Sequence, residues 1–186
     1  MLKSIVAVAL LILSPVLRGT EVEKADENAV INAVVERQFT KHLPYVKKVV
    51  VASETLPLDR VRGDAWPSDA IADYSARNEH PLELTMTALR NRVSVADVPP
   101  SATWDQFADE HGDAWLVRVA RPAFESADVA FVRIDVADPE MLRNSSERAI
   151  LAVQFKVERT AEGWRAVSGT SRIHSARDAA PARSAD

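Results

Sequence analysis

Residues 151–158 read Leu-Ala-Val-Gln-Phe-Lys-Val-Glu. Leu151, Val153, Phe155 and Val157 fall on one side of an extended chain, and Ala152, Gln154, Lys156 and Glu158 fall on the other, because successive side chains of a strand point to opposite faces. Such a strand needs neighbours that share its dry side. They are present in both directions. Trp115, Val117 and Val119 alternate with Leu116, Arg118 and Ala120, and Ala130, Val132, Ile134 and Val136 alternate with Phe131, Arg133 and Asp135. On the C-terminal side, Thr160-Ala161-Glu162-Gly163 is short enough to fold the chain straight back into Trp164–Val167. The stretch from Trp115 to Val167 therefore predicts a meander of at least four antiparallel strands.

The chain ahead of this meander supplies helices to cover it. Thr20-Glu21-Val22-Glu23 has the spacing of a capping box. From there Val22, Ala29, Val30, Ala33, Val34 and Phe39 form one apolar stripe, with Glu27, Asn28, Glu36 and Arg37 placed off it, and Pro44 ends the pattern. Val49-Val50-Val51 is β-branched and reads as a strand. Residues 56–67 hold two prolines and a glycine and read as a loop. Ser68 caps a second helix that ends near Arg77, with Ile71 and Tyr74 inward, and His80-Pro81 stops it. Leu82–Met86 alternates as a half-buried strand would, Arg92–Val98 is a further extended segment, and Ser101–His111 is a third short helix that Gly112 closes. The fold class is α+β: an antiparallel sheet of four to six strands with the N-terminal helices on one face. One domain spans residues 20–173, followed by a disordered tail over 174–186, where no period is visible.

Composition narrows the function classes. Of 186 residues, 47% are apolar and 27% charged, which is the balance of a packed domain. The formal net charge is -4, and no basic run exceeds Lys47-Lys48, so the concentrated positive surface that nucleic acid requires is missing. Residues 1–19 carry Lys3, then an apolar run, then Ser14-Pro15, which is the layout of a signal peptide. The run is shorter than the roughly 20 residues that span a bilayer, so cleavage is expected and no stable membrane span remains. The chain has no cysteine, which excludes acylation as a lipoprotein at this end and any disulfide. Localisation is expected to be secreted or periplasmic.

Few residues suggest chemistry. Asp105, Asp109, Glu110, His111 and Asp113 form the densest polar cluster, yet their spacing matches no metal motif, and no metal or cofactor is expected. His111 with Asp109 or Asp113 could act as an acid–base pair. Asp73 and Arg77 lie four apart and can pair on the second helix, and Asn78 suits its end. Arg118, Arg121, Arg133 and Arg143 could line one sheet face and bind an anion. No Gly-x-Ser-x-Gly elbow or glycine-rich phosphate loop occurs among the five glycines.

Three stretches, Asp73-Tyr74-Ser75-Ala76-Arg77-Asn78, Val119–Phe124 leading into Ala130-Phe131-Val132, and Glu158–Val167 with Gly163-Trp164, resemble a family of exported bacterial proteins of unknown function. The resemblance covers about residues 68–168. It departs at Ala120, where that family has Ser, at Arg77, where it has Lys, at Trp164, which directly follows Gly163 where that family has Gly-x-Trp, and at residues 138–148, where it has a Gly/Cys-rich link. A looser similarity is to cystatin-like and nuclear-transport-factor-like cones. The resemblance implies export and a helix-covered sheet and carries no activity. The expected function is a non-catalytic binding or envelope-associated domain whose partner is a protein or small molecule of the envelope. Its ligand-binding candidates are Asp73, Arg77, Asn78, Arg121 and His111. The alternative is a small hydrolase or isomerase that uses His111 and a carboxylate in a cone pocket. Mass spectrometry of the protein from its host should show loss of about the first 19 to 25 residues, and an intact Met1 on a cytosolic species would refute export.

Overall fold

A computed structural model describes residues 20–57, 61, 66–77, 82–99, 104–139 and 149–175. Residues 1–19, where a signal peptide is expected, Asn78, His80, Arg143 and residues 176–186 of the expected tail lie outside the described residues. Helix α1 (Thr20–Arg37) runs into a π-helical turn (Gln38–His42), which closes where Leu43 N donates to Gln38 O at 2.9 Å, one residue before Pro44. Then follow β1 (Val49–Ala52), α2 (Ser68–Arg77), β2 (Val93–Ala96), α3 (Trp104–His111), β3 (Trp115–Val119), β4 (Ala123–Ser126), β5 (Val129–Ala137), β6 (Ala149–Thr160) and β7 (Gly163–Ser175). His174 and Ser175 end β7, so the first two residues assigned to a tail belong to the sheet.

The α+β class holds, but the sheet has seven strands, not four to six, and it is mixed. Its order is β2-β1-β3-β5-β6-β7, with β4 also paired to β5. The C-terminal part is the expected antiparallel meander: β5 pairs β6 through Val132↔Phe155 and Ile134↔Val153, and β6 pairs β7 through Phe155↔Gly169. The front strands differ, because β1 lies parallel to both β2 and β3. Parallel neighbours need a crossover, and α2 and α3 lie in the connections that provide it. Val49-Val50-Val51-Ala52 is buried at every position, as a strand covered on both faces must be.

Helices cover both faces, which corrects the expectation of a single covered face. On one, Val30, Ile31, Val34, Val35 and Phe39 pack against Val49, Val51, Val117, Val132, Ile134, Val153, Phe155 and Val157. On the other, Phe107 of α3 meets Val50, Ala52, Leu116 and Ala137, the alternate residues of the same strands. A third cluster joins Ala70 and Tyr74 of α2 to Leu56, Trp66, Ala120 and Ala123. Trp66 stands edge-on to Tyr74, and Trp115 edge-on to exposed Tyr45.

Leu82–Met86 alternates as expected, with Leu82 buried and Glu83 exposed, but it is not a strand. Its backbone bonds go to side chains of α1. Asn28 Nδ2 donates to Glu83 O at 3.1 Å, and Asn28 Oδ1 accepts from Thr85 N at 2.7 Å. Asn32 Nδ2 donates to Thr85 O at 2.8 Å, and its Oδ1 accepts from Thr87 N and Ala88 N. Two asparagines one turn apart thus stand in for a neighbouring strand.

At the C-terminal hairpin, Gly163 takes φ 118°, a conformation open mainly to glycine. Thr160 Oγ1 donates across the turn to Gly163 O at 2.8 Å. Further along β7, a Cβ on Gly169 would stand 3.0 Å from the Phe155 ring, so the missing side chain makes room for a core aromatic. Phe155→Ala should lower stability by about 3–5 kcal/mol in urea unfolding. An unchanged midpoint would mean that the ring does not fill the core.

Candidate functional site

Helix α1 carries a charge into the core. Glu27 precedes Val30, Ile31 and Val34 by three, four and seven residues, so it lies on the buried stripe and not off it, and its side chain is 1% exposed. Two arginines meet it there. Arg121 Nε donates to Glu27 Oε1 at 2.7 Å and Nη2 to Oε2 at 3.0 Å, a bidentate pairing. Arg77 Nη1 also donates to Glu27 Oε1.

Each arginine is held by further acceptors. Arg77 Nε donates to Asp73 Oδ1 at 2.8 Å, and Nη2 donates to Asp73 Oδ2 and to Pro122 O. Arg121 Nη1 donates to the carbonyl of Arg77, closing the last turn of α2. Asp73 Oδ2 accepts Phe124 N at 2.9 Å and so fixes the start of β4. Two carboxylates and two guanidiniums cancel in charge, and the bonds just described run to one another or to backbone. This is an arrangement that holds elements in place.

Segments distant in sequence come together here. The Arg77 guanidinium lies 4.9 Å from the Phe124 ring centroid, and Phe124 stands edge-on to Trp164 at 5.7 Å. Trp164 Nε1 donates to Asp26 Oδ1 at 3.2 Å, beside Arg159 Nη2 at 2.7 Å. Neighbouring carboxylates of α1 thus gather α2, the β3–β4 link and the β6–β7 hairpin. Asp73, Arg77 and Arg121 are in this cluster, Asn78 lies outside the described residues, and Glu27 is the member that pattern reading misplaced.

His111 is elsewhere. It ends α3, its ring lies 4.8 Å from Phe107, and its Nε2 is 3.8 Å from Glu110 Oε1. Lys48 Nζ donates to its carbonyl at 2.8 Å, tying the helix end to the entry of β1. Asp109 and Asp113 occupy exposed positions. Arg118 and Arg133 share the α3 side of the sheet, where Arg133 Nε donates to Asp135 Oδ1 at 2.8 Å. Arg121 is not part of that face, because it turns to Glu27. Among the described residues no group of three or more acidic or imidazole side chains could hold a metal ion, and no helix is long and apolar enough to cross a membrane.

The sheet's two edges differ. The β2 edge has four residues and is followed by Asp97, Val98 and Pro99. The β7 edge is long, and every residue from Val167 to Ile173 is exposed. Arg37 Nη1 donates to Ala166 O and closes the strand there. Comparison with family models, with curated proteins and with solved structures returns no match.

Removing one charge from the buried cluster leaves the others unpaired in a dry site. Glu27→Ala should cost about 3–5 kcal/mol in urea unfolding, and the more exposed Asp73→Asn clearly less. A loss below about 1 kcal/mol for Glu27→Ala would show that water reaches the two guanidiniums.

Proposed function

We propose that the chain is an exported, non-catalytic binding domain of the cell envelope whose contact surface is the free edge of β7. One observation carries this reading: a seven-residue run, Val167 to Ile173, exposed on the outermost strand. An edge of this kind presents backbone N–H and C=O groups to an added strand. Folded chains commonly blunt such edges with proline or lysine, and β7 has neither; it carries Arg172 and a bulge at Val167, beyond which its pairing with β6 runs unbroken from Ser168 to Ser175.

The polar residues support the same reading. Asp73, Arg77 and Arg121 direct their hydrogen bonds inward to Glu27 and to backbone, which suits a structural role. His111 stands beside Phe107 and Glu110 at the end of α3. The resemblance to exported bacterial proteins agrees with an envelope location.

The absence of cysteine makes the test direct, since a single introduced thiol reports on one position. Thr170→Cys should react with a maleimide about tenfold more slowly in the envelope of the host than in dilute purified protein, as ~90% occupancy of the edge would give. Glu162→Cys, in the exposed hairpin turn, should react equally in both. Equal rates at position 170 in the two settings would overturn the assignment of this edge.

A further inference from the structure

We infer that the loop between α1 and β1, together with the turn ahead of β2, is a second contact surface, one that docks on an anionic lipid bilayer through Tyr45 and a set of basic side chains. The inference does not use the β7 edge, which lies at the opposite end of the sheet order.

The sequence shows only part of this surface. Lys47-Lys48 is its longest basic run, but no acidic residue occurs from Arg37 to Ser53 or from Leu84 to Ala96. The fold brings these two acid-free stretches together. Val49 N donates to Arg92 O at 2.7 Å, and β1 pairs β2 from Val49↔Val93 onward. Arg92 Nη2 donates to Phe39 O at 3.1 Å and also to Val46 O, so one guanidinium spans the loop from the π-helical turn to the entry of β1. Lys41, His42, Lys47, Lys48 and Arg90 are all exposed on the segments that this clamp joins.

Both segments are held in shape by their own bonds. Val46 N donates to Leu43 O at 3.3 Å, and Val46 is buried between exposed Tyr45 and exposed Lys47. In the second segment Leu89 takes φ 53°, a conformation uncommon for leucine, and its carbonyl accepts Arg92 N at 2.7 Å and Val93 N at 2.9 Å. Asn32 Oδ1 holds Thr87 N and Ala88 N just before it. Arg90 and Asn91 are left exposed at the tip. A surface ordered in advance loses less freedom on binding.

Tyr45 favours a bilayer over a soluble anion. It is 67% exposed, one of three exposed large apolar side chains among the described residues, and stands edge-on to half-buried Trp115. Leu43-Pro44-Tyr45 is flanked by Lys41-His42 on one side and Lys47-Lys48 on the other. A tyrosine ring suits the boundary of lipid and water, where flanking bases meet the head-group phosphates. A soluble anion would engage the cations and leave the ring without a role.

The distribution of charge orients the contact. Glu36 is exposed ahead of the π-helical turn, and Asp109, Glu110 and Asp113 are exposed about the end of α3, where Lys48 Nζ donates to His111 O. These acids offset Lys48 in part, whereas Lys41, Lys47 and Arg90 have no carboxylate partner among the described residues. The chain carries a net charge of -4, so the rest of its surface is repelled by the same bilayer.

Each base near such a surface adds about fivefold to partitioning, which salt then screens. The chain purified from its host should cosediment with phosphatidylcholine vesicles that hold about 30% phosphatidylglycerol at about 0.1 M salt, and should be released at about 1 M. Lys41→Gln with Lys47→Gln should weaken binding by about 25-fold, and Tyr45→Ser by about fivefold. Lys156→Gln with Arg165→Gln, in β6 and β7, removes the same charge and should leave binding unchanged. Urea midpoints equal to the parent's keep these comparisons free of misfolding. No binding, equal uptake by phosphatidylcholine alone, or equal losses in the two double variants would overturn the assignment. Binding that inorganic phosphate abolishes at matched ionic strength, and that Tyr45→Ser leaves intact, would overturn it in favour of a soluble anion. Capture of a duplex oligonucleotide in place of vesicles would overturn it in favour of nucleic acid. Protection of position 170 in the envelope is read separately, so either surface can fail while the other stands.

Discussion

Glu27 has no water to turn to, and the front of the molecule is arranged to replace that water. Its place on the buried stripe of α1 follows from helical spacing, so the carboxylate must enter the interior with the helix. Moving an ion there costs several kcal/mol, and attraction offsets that only where hydrogen bonds saturate the group. Arg121 supplies a bidentate pairing and Arg77 a third donor, and Asp73 and the carbonyls of Arg77 and Pro122 then satisfy the arginines in turn. The result is geometric. Helix α1, helix α2 and the link between β3 and β4 cannot shift separately without breaking a charged hydrogen bond in a dry site.

That constraint explains why residues far apart in sequence are found together. Asp26, the neighbour of Glu27, reaches the hairpin through Arg159 and Trp164, and the Phe124 ring bridges Trp164 to Arg77. One turn of helix therefore sets the position of both the second helix and the last two strands. Asn28 and Asn32 extend the same role on another side by holding the segment from Glu83 to Ala88. Polar residues of α1 do as much to place its surroundings as its valines do.

Much of the architecture was legible in the residues, and the failures share a cause. Alternation located β3, β5, β6 and the start of β7, since burial on one face leaves a period of two. It could not give pairing direction, which depends on the connections. The signal for parallel strands was present as strand, helix, strand, helix, strand from Val49 to Val119, a pattern that favours crossovers. Leu82–Met86 has the rhythm of a strand because one side of it is buried, and rhythm cannot tell a neighbouring strand from two asparagine side chains. Glu27 was misplaced by its chemistry, because a carboxylate is rarely buried; its spacing to Val30, Ile31 and Val34 pointed the other way. The pair Asp73 and Arg77 was readable from a spacing of four, whereas their meeting with Arg121 and Glu27 depends on tertiary packing that no local pattern records.

The open edge follows from where α1 is anchored. Its first turns are tied to the hairpin by Asp26, and its end reaches β7 through Arg37 at Ala166, so these bonds join helix and strand along the strand's first residues. Beyond Ala166 the strand is held by its ladder to β6. The core still needs the Phe155 ring, and Gly169 yields the space for it, which removes the side chain that would otherwise shield the middle of the edge. Thinning the outer strand to accommodate an aromatic therefore exposes backbone at the same place. A fold anchored through the beginning of β7 leaves the remainder as the part of the sheet most able to accept another strand.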